Sequence, residues 1–435
     1  MESALSGFQS ALPGSSHMEK VVGAFRVDMA EPDSSKRSIR MLETFVQRLP
    51  TGLEQGTFYA LDLGGTHFRV CKFVFCPPSA PKRVREKSYT LPAELKRGEA
   101  GDLFDFLAKC VCEVAQTQVL PRGATVESDE LEEKDGALPA EGALRLGFTF
   151  SFPVQQLSLN TGKLIVWTKG WTVSGVEGQE VGSLLLQSLS KRLGRNDSEL
   201  VCLVNDTVGT LAAGALCHGG DVKIGLILGT GTNAAFFNPQ TGLVVNTEWG
   251  AFSNPLLPET AVDLEVDRAS PHPGQQRFEK LISGYYLGEI LRVCLHHQGW
   301  LGNSGKFVWD SKVLSDVESD SSSDLRRVGD ICRAFGKCDS TRKERVWFKQ
   351  VCESITERAA RLTACAVTAL VRKVGHGDFP VKIAVDGSLF EYHTSFRSRL
   401  ERALKQLRCN CVLVLAKDGS GLGAALVAAA AASSN

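Results

Sequence analysis

Four short stretches of the chain place glycine beside an acidic or hydroxyl side chain directly after a hydrophobic run, a combination that can bind phosphate. They are DLGGT, LGTGT, VDGS and DGSGLG, which begin at residues 62, 228, 385 and 418. Glycine lets backbone N–H groups approach phosphate oxygens because it has no Cβ, threonine adds a hydroxyl donor, and a carboxylate can meet a hydrated Mg²⁺. One glycine hairpin alone is more often only a turn, so the prediction of a phosphate site rests on four such junctions in one chain.

The pair Asn205–Asp206 lies between the hydrophobic run VCLV and the helix-like stretch TVGTLAAGAL. Asn and Asp are strong N-cap residues, so one interpretation is that the pair only caps a helix. The other is that Asp206 is a carboxylate at the carboxyl end of a strand, where α/β folds collect ligands and general bases. The residues alone leave both interpretations open.

The elements that must position these residues alternate between strands and helices, which indicates the α/β class. Two β-hairpins are predicted, TFYALDL with FRVCKFVF and KIGLIL with NAAFF, each closed by a glycine-threonine turn. Sequence patterns also predict five principal helices. These cover residues 37–49, 103–119, 179–193, 276–297 and 346–373.

Composition excludes several classes of protein. Lysine plus arginine equals aspartate plus glutamate at 49 each, which removes the bulk electrostatic argument for a nucleic acid or an anionic membrane as partner. The 13 cysteines lack the spacing of a zinc site or a secreted disulfide framework, so we expect free thiols, no protein-bound metal and a reducing compartment. There is no signal peptide and no uncharged apolar run of about 18 residues, so we expect a soluble cytoplasmic protein without an integral membrane segment.

The length of the chain bounds its domain organisation. At 435 residues it exceeds one typical core, which predicts two or more domains. The segment 124–142 is acidic and poor in aromatic residues. We therefore expect it to be a solvated surface loop without a functional role.

The ordered motifs of the chain resemble the eukaryotic hexokinases, a family of the actin and heat-shock-chaperone ATPase superfamily. The resemblance runs from about Arg37 to the C-terminus. It is carried, in the family's order, by LDLGGTHFRV, LGFTFSFP, WTKGW, VNDTVGT, GTGTNA, NTEWGAF, PGQQRFEKLISGYYLGE, VDGSLFEYH and DGSGLGAAL.

This resemblance implies an α/β fold of two ribonuclease-H-like lobes, one small and one large, that flank a sugar-binding cleft. Residues 58–204 and the helix 419–435 would form the small lobe, and residues 205–418 with the segment 19–57 would form the large lobe. Residues 1–18 are expected to be disordered. The partners would be a hexose and ATP, and the protein would be a monomer or a homodimer.

The resemblance also implies a catalytic set. Asp206 matches the general base, which would accept the proton of the sugar 6-hydroxyl as that oxygen attacks the γ-phosphate of ATP. Lys169 is the second catalytic residue, and Arg69 would offset the charge that develops on the phosphoryl group. Mg²⁺ would be carried in with the nucleotide.

Two binding sets follow from the same resemblance. Carboxylates and amides suit sugar recognition because each can hold a diol edge in a fixed fork. The sugar hydroxyls would be held by Ser151, Thr168, Lys169, Asn205, Asp206, Asn233, Asn246, Glu248, Gln276 and Glu279. The nucleotide would be held by Asp62, Gly64, Gly65, Thr66, His67, Gly229, Thr230, Ser311, Gly387, Ser388 and Leu389.

Two positions depart from the family pattern. His67 follows GGT where the family usually has asparagine, which is either a tolerated surface substitution or a change in nucleotide affinity or pH response, because histidine titrates near neutrality. His272 also replaces a usual asparagine, on the loop that leads to Gln276. Because Gln276 is a predicted sugar ligand, the second departure could change which sugar the protein prefers.

Three functions compete for this sequence. The first is an ATP-dependent hexokinase acting on glucose and also on fructose and mannose, and the second is a hexokinase-like glucose sensor or scaffold that transfers little phosphate. Asp206, Lys169, Thr66 and Thr230 are all present, and a silent protein need not keep them, which favours the enzyme. A chaperone or actin-like ATPase would leave FTFSFP, WTKG and NTEWGAF without a role.

Overall fold

The computed structural model describes residues 2–116, 143–301, 309, 311–375 and 379–433. The acidic segment 124–142 lies outside these described residues. The chain divides into two compact units. We call residues 1–43 and 217–419 the large unit, and residues 44–216 and 420–435 the small unit.

Strands of the described residues are numbered in chain order. They are β1 (Leu42–Glu43), β2 (Gly56–Leu63), β3 (His67–Phe75), β4 (Lys82–Thr90), β5 (Arg145–Phe150), β6 (Val154–Gln156), β7 (Gly162–Leu164), β8 (Glu199–Val204), β9 (Val222–Leu228), β10 (Thr232–Asn238), β11 (Leu243–Asn246), β12 (Val381–Asp386) and β13 (Cys411–Leu415). Both predicted hairpins are confirmed, as β2–β3 and β9–β10.

Helices are numbered in the same way. They are α1 (Glu2–Ser10), α2 (Ser15–Ala30), α3 (Ala100–Gln116), α4 (Val181–Leu193), α5 (Asp206–His218), α6 (Ala261–Ala269), α7 (Arg277–Ile282), α8 (Gly284–His297), α9 (Lys312–Glu318), α10 (Arg326–Ala334), α11 (Arg342–Val374), α12 (Ser388–Tyr392), α13 (Phe396–Gln406) and α14 (Gly419–Ala432). A 3₁₀ turn covers Trp249–Ala251. The predicted helices at 179–193 and 346–373 correspond to α4 and α11, and α3 begins near the predicted start of the helix at 103–119.

The small unit is built on a five-stranded sheet with the order β4-β3-β2-β5-β8. β2 pairs antiparallel with β3 and parallel with β5, and β5 pairs parallel with β8. Close packing holds α14 in this unit, because a Cβ on Gly423 would lie 2.0 Å from the carbonyl oxygen of Gly209 in α5. Only glycine allows two helix backbones to approach so closely.

The large unit is built on a six-stranded sheet with the order β1-β11-β10-β9-β12-β13. β9 pairs antiparallel with β10 and parallel with β12, and β12 pairs parallel with β13. From β11 to β13 the strand order and directions match those from β4 to β8 in the small unit. The carboxyl ends of the parallel strands therefore meet at one edge in each sheet.

The predicted helix at 37–49 is wrong. Asp28 of α2 accepts hydrogen bonds from the backbone N–H groups of Ser38 and Ile39, and β1 pairs antiparallel with β11. Met41 has a positive φ of 51° just before β1. Long-range pairing thus overrides a local helical pattern of apolar residues.

The predicted disorder of residues 1–18 is also wrong. Residues 2–10 and 15–30 are helical, and Phe8 and Met18 are buried in the core of the large unit. Further along α2, Phe25 stacks on Phe252 with ring centroids 3.6 Å apart. Burial of these apolar side chains stabilises the N-terminal helices.

The predicted continuous helix at 276–297 is interrupted. Ser283 is extended between α7 and α8, with a ψ of 148°. The backbone N–H of the next residue, Gly284, donates to the carbonyl oxygen of Gly229 at 2.8 Å. A contact with the glycine turn of the β9–β10 hairpin therefore replaces the hydrogen bond that Gly284 N–H would make in a continuous helix.

Candidate active site

Polar side chains collect at the carboxyl edge of the small unit's sheet. Asp62 lies near the end of β2, Ser151 follows β5, and Asn205 and Asp206 follow β8. The three strands are parallel neighbours, so their ends lie side by side. The structure therefore brings together side chains from three separate segments of the chain, at residues 62, 151 and 205–206.

Asp206 has the electrostatic setting of a base. Burial raises the pKa of its carboxyl group, Lys169 and a hydrogen bond from Ser151 oppose that rise, and the nearby charge of Asp62 adds to it. The Nζ atom of Lys169 lies 4.0 Å from Asp206 Oδ2, and the two side chains are 17% and 14% exposed. Burial strengthens the basicity of the carboxylate, and the ammonium favours its ionised form.

The question of helix capping is resolved by Asn205. Its Oδ1 accepts hydrogen bonds from the backbone N–H of Thr207 at 3.1 Å and from the Thr207 hydroxyl at 2.7 Å. Because α5 begins at Asp206, Asn205 occupies the N-cap position. Asp206 Oδ1 accepts from the backbone N–H of the following residue at 2.9 Å, and the side chain of Ser151 also donates to this carboxylate.

A strained turn holds Lys169 in place. Lys169 and Gly170 both have positive φ, 56° and 78°. A lysine rarely adopts this backbone conformation, so neighbouring contacts must hold it there. Lys169 Nζ donates to the carbonyl oxygen of Ser151 at 2.7 Å and lies 5.4 Å from the ring centroid of Phe152.

Aromatic residues pack around this turn. Trp167 and Trp171 flank it and stack with ring centroids 5.2 Å apart, and Phe152 packs against both. Thr168, the remaining candidate of the turn, is 7% exposed, and its carbonyl oxygen accepts from Trp171 N–H. Packing of the two tryptophans of the WTKGW motif thus fixes the positions of Thr168 and Lys169 between them.

The β2–β3 hairpin carries a charged pair beside its glycine turn. Asp62 Oδ2 accepts hydrogen bonds from Arg69 Nη2 at 3.0 Å and from Ser420 Oγ at 2.7 Å. Asp62 and Arg69 lie directly opposite each other in the strand pair. The guanidinium is therefore held close to the turn by a carboxylate rather than left mobile.

The turn itself contains Gly64, Gly65, Thr66 and His67. Gly64 N–H donates to the carbonyl oxygen of His67 at 3.0 Å, and Trp171 Nε1 donates to the carbonyl oxygen of Gly65 at 3.1 Å. His67 is exposed, and its Nδ1 lies 2.8 Å from Thr66 Oγ1. The imidazole thus contacts the hydroxyl predicted to meet phosphate.

Amide and carboxylate side chains form a network in the large unit. Asn233 Nδ2 donates to Asn246 Oδ1 at 2.7 Å and to Glu248 Oε1 at 3.2 Å. Asn246 Nδ2 donates to Glu248 Oε1 at 2.9 Å. Asn233 and Asn246 are 8% and 4% exposed, and Glu248 has a positive φ of 53°. The three predicted sugar ligands are therefore fixed by one another.

Glu279 and Gln276 lie beside each other near this network. Glu279 Oε2 accepts from the backbone N–H of Thr232, the neighbour of Asn233, at 3.1 Å. A Cβ on Gly250 would meet Gln276 Oε1 at 2.8 Å and Glu279 Cβ at 3.2 Å. Glycine at 250 therefore makes room for both side chains.

The second glycine turn packs against the start of α12. Gly387 has a φ of 121°, and a Cβ there would lie 2.4 Å from the carbonyl oxygen of Leu228. Gly229 lies close to Ser388, whose N–H is 3.6 Å from a Cβ built on that glycine. These contacts place one predicted nucleotide residue, Gly229, beside two others, Gly387 and Ser388.

Three further nucleotide candidates have different positions. The carbonyl oxygen of Thr230 accepts from Tyr285 N–H at 3.3 Å, and Ser311 Oγ lies 3.0 Å from the position of a Cβ on Gly284. Both residues therefore adjoin the segment that follows α7. Leu389 is 1% exposed and belongs to the hydrophobic core of the large unit, so its side chain is a packing residue.

Sequence reasoning did not select Ser420 and Asp386. Ser420 bonds to Asp62, as described above, and Asp386 accepts from Gly387 N–H at 2.7 Å and from Gly419 N–H at 2.8 Å. Both residues belong to stretches chosen for their glycines, VDGS and DGSGLG, so the signal was a polar side chain next to each glycine. The chain passes from the large unit to the small unit between residues 419 and 420. Gly419 is bonded to Asp386 within the large unit, and Ser420 is bonded to Asp62 within the small unit.

His272 and the cysteines are the remaining chemistry-bearing residues of the sequence analysis. The backbone carbonyl of His272 accepts from Lys280 Nζ at 2.8 Å, so the loop before Gln276 is tied through its main chain. All 13 cysteines are free. Within the described residues, no group of three or more His, Cys, Asp or Glu side chains is arranged to hold a metal ion. Of the helices that the structure describes, none has the length and apolar character needed to cross a bilayer.

Two sheets that share the order of five strands, each with a glycine hairpin, define a mixed α/β protein with the actin-like ATPase fold. Hexokinase family models match residues 9–216 and 223–430. Hexokinase-7 of Oryza sativa subsp. japonica is 36% identical over 444 residues, covering 94% of this chain and 92% of that protein. Hexokinase-1 of Schizosaccharomyces pombe is 36% identical over 422 residues, covering 90% and 82%.

Solved structures agree with these relatives. A hexokinase from Schistosoma mansoni in complex with glucose has a TM-score of 0.84 and 31% identity, covering 99% of this chain and 98% of that chain. A second hexokinase crystal structure has a TM-score of 0.74 and 29% identity, with coverage of 99% and 98%. The chain belongs to the hexokinase family, a family of sugar kinases.

Proposed function

We propose that this protein is an ATP-dependent hexokinase that converts glucose, and also fructose and mannose, to the 6-phosphate in the first step of glycolysis. The observation that carries the proposal is the environment of Asp206. Its carboxyl group lies at a strand end, burial raises its pKa, and Lys169 Nζ, 4.0 Å away, opposes that rise. Such a group is basic enough to take a proton from a hydroxyl and is still held in its ionised form.

Asp206 would act at a single atom. The sugar 6-oxygen forms a bond to the γ-phosphorus of ATP as the bond from that phosphorus to the β-phosphate oxygen breaks, and the hydroxyl proton passes to the carboxylate of Asp206. ADP leaves with the electron pair of the broken bond. A well-placed general base contributes about 10²- to 10⁴-fold to the rate.

The charged and glycine-rich groups would serve the phosphates. Arg69, held by Asp62 at 3.0 Å, can offset charge on the transferring phosphoryl group. ATP would enter as its Mg²⁺ complex, and a carboxylate such as Asp62 suits a water bound to that ion. The N–H groups of Gly64 and Gly229 close their own turns. The second glycine of each turn, Gly65 and Gly231, would then present its backbone N–H to phosphate without obstruction by a Cβ.

The amide and carboxylate network of the large unit would recognise the sugar hydroxyls. Asn233, Asn246 and Glu248 already bond to one another, so little side-chain freedom is lost when a hydroxyl joins them. A buried polar group left without a partner is costly, so ligands that lack the matching hydroxyl are rejected. We further propose a cytoplasmic enzyme that is a monomer or a homodimer.

The test is formation of glucose 6-phosphate by the purified protein and by Asp206→Asn, with calorimetric titration of glucose into both. We expect turnover to fall by about 10²- to 10⁴-fold while glucose binding persists, because the amide keeps the shape of the carboxylate and cannot accept the proton. Loss of both binding and folding would instead assign Asp206 a structural role.

Glu180→Gln is the matched control. Glu180 is the N-cap of α4 in the same unit, and its carboxylate accepts from the N–H groups of Gly182 and Ser183. This carboxylate-to-amide change should lower stability without abolishing turnover. If the parent protein binds glucose and forms no product, the sensor function is correct and the proposal of catalysis is wrong.

A further inference from the structure

A buried carboxylate cluster in the large unit has no part in the reaction described above. Glu318 is the last residue of α9, and its side chain is 2% exposed. Its Oε2 accepts a hydrogen bond from Ser395 Oγ and lies 2.9 Å from Arg399 Nη1. A carboxylate is costly to bury unless it is paired and hydrogen-bonded. Oε2 meets both conditions, whereas Oε1 has no hydrogen-bond partner among the described residues.

The same short segment makes a second tie to α9. Thr394 N–H donates to Ser315 Oγ at 3.0 Å, and the two hydroxyl oxygens lie 2.9 Å apart. His393 is 7% exposed, and its Nδ1 accepts from Ser395 N–H at 3.4 Å. Three consecutive residues, 393–395, thus hold fixed positions beside the last turns of α9.

The imidazole of His393 completes the cluster. Since Nδ1 accepts a hydrogen bond, the neutral ring carries its hydrogen on Nε2, and that atom lies 4.0 Å from Glu318 Oε1. Burial lowers the pKa of His393, with Glu318 opposing and Arg399 adding to this effect. The single charge of Glu318 is therefore balanced by Arg399 rather than by the histidine.

Both joined elements lead to predicted nucleotide residues. Ser311 lies directly before α9, and Ser388 begins α12, which ends at Tyr392 just before the 393–395 segment. α9 has seven residues and α12 has five. Helices this short are not stable alone, so their positions depend on tertiary contacts.

We propose that Glu318 is a positioning residue for the nucleotide. By tying the end of α9 to residues 393–395, it fixes the separation of Ser311 and Ser388 and so sets the affinity for a nucleoside triphosphate. This proposal rests on the proposed function, because that function assigns both serines to the nucleotide.

The test is the split between the two substrates in Ser395→Ala. Loss of one hydrogen bond to a buried carboxylate should raise the KM for ATP about three- to tenfold and leave the KM for glucose unchanged. Ser395→Thr keeps the hydroxyl and should restore the parent value. Ser315→Ala removes the second tie and should give the same split.

Ser354→Ala is the matched control. Ser354 is a buried serine of α11 in the same unit, and its hydroxyl donates to the carbonyl oxygen of Gln350 at 2.8 Å. We expect it to lower the melting temperature to a similar extent without changing either KM. An unchanged ATP affinity in Ser395→Ala, an equal rise of both KM values, or failure of Ser395→Thr to restore the parent value would overturn the proposal.

Calorimetric titration with the Mg²⁺ complex of a non-hydrolysable ATP analogue separates this proposal from the proposed function. If the parent protein binds the analogue but forms no sugar phosphate, the enzyme assignment fails. The effect of Ser395→Ala on analogue affinity still decides the role of Glu318 in that case. If the parent protein does not bind the analogue, both proposals are wrong.

Discussion

Five strands of the large unit's sheet repeat the strand order of the small unit's sheet, yet the functional edges of the two sheets differ in charge. In the small unit the candidate groups are ionic: Asp62 with Arg69, and Lys169 with Asp206. In the large unit the corresponding edge carries glycines and a network of amides around Glu248. Under the function proposed above, one architecture would serve proton transfer and charge compensation in the small unit and recognition of neutral hydroxyls in the large unit.

The contrast is sharpest at the second residue pair from each hairpin turn. Asp62 lies opposite Arg69 in β2–β3, whereas Ile227 lies opposite Asn233 in β9–β10. An arginine near a buried edge requires a carboxylate partner, and asparagine requires only hydrogen bonds. The neutral side chain of Asn233 therefore needs no ionic partner of the kind that holds Arg69, and it bonds to Asn246 and Glu248.

Removal of the cation from the small unit's edge should have the largest effect. In Lys169→Met we expect kcat to fall by about 10²- to 10³-fold, as for loss of one electrostatic contact in a reacting site. Lys169 lowers the pKa of Asp206, so its loss raises that pKa further. The acidic limb of the pH–rate profile should therefore move to higher pH, because a protonated base is inactive.

Lys163→Met is the control for this prediction. Lys163 lies on β7 in the same unit and is exposed. Its replacement should leave both kcat and the pH profile unchanged. An unshifted acidic limb in Lys169→Met would show that the ionic contact with Asp206 does not govern the reaction, and the contrast between the two edges would lose its catalytic meaning.

Gly387→Ala should give the next largest effect, on stability. Its φ of 121° disfavours any side chain, and the new Cβ would lie 2.4 Å from the carbonyl oxygen of Leu228. We expect the free energy of unfolding to fall by about 2–4 kcal/mol, measured by urea denaturation. Gly64→Ala, in the small unit's turn, meets nothing closer than 3.7 Å and should cost less than about 1 kcal/mol. Equal costs would mean that the two turns are not packed differently.

Asn246→Ala should have a smaller, substrate-specific effect. It removes the acceptor for Asn233 Nδ2 and one donor to Glu248. We expect the KM for glucose to rise about 10- to 30-fold with less change in the KM for ATP. Asn238→Ala, at the far end of β10, is the control and should change neither value. A fall in kcat alone would place the large unit's network in the chemical step rather than in recognition.

The hairpins and the glycine junctions could be predicted from the sequence because their signals are local. Alternating hydrophobic residues and glycine-threonine turns specify β2–β3 and β9–β10 without reference to the rest of the chain. The positions of Asp62, Ser151 and Asp206 at one edge also follow once the strands are known to be parallel neighbours.

Features that depend on distant partners could not be predicted in this way. Residues 37–49 have a helical pattern, but the carboxylate of Asp28 and the pairing with β11 decide their structure. The bond from Ser420 to Asp62 joins residues 358 positions apart. The division of labour between Asn205 as cap and Asp206 as candidate base depends on which side chain reaches Thr207, and the sequence does not specify that geometry.

His67→Asn should have the smallest effect and tests how far the small unit's edge depends on its turn. The imidazole is exposed and contacts only the Thr66 hydroxyl, at 2.8 Å, among the side-chain bonds described for it. An exposed contact of this kind contributes little, so we expect the KM for ATP to change by less than about threefold. The measurement is the KM for ATP, obtained by varying ATP at a fixed glucose concentration. Thr66→Val serves as the reference, because it removes the Thr66 hydroxyl itself. A change in His67→Asn as large as that in Thr66→Val would show that the histidine orients the threonine toward the phosphates, and the departure from the family pattern would then be functional.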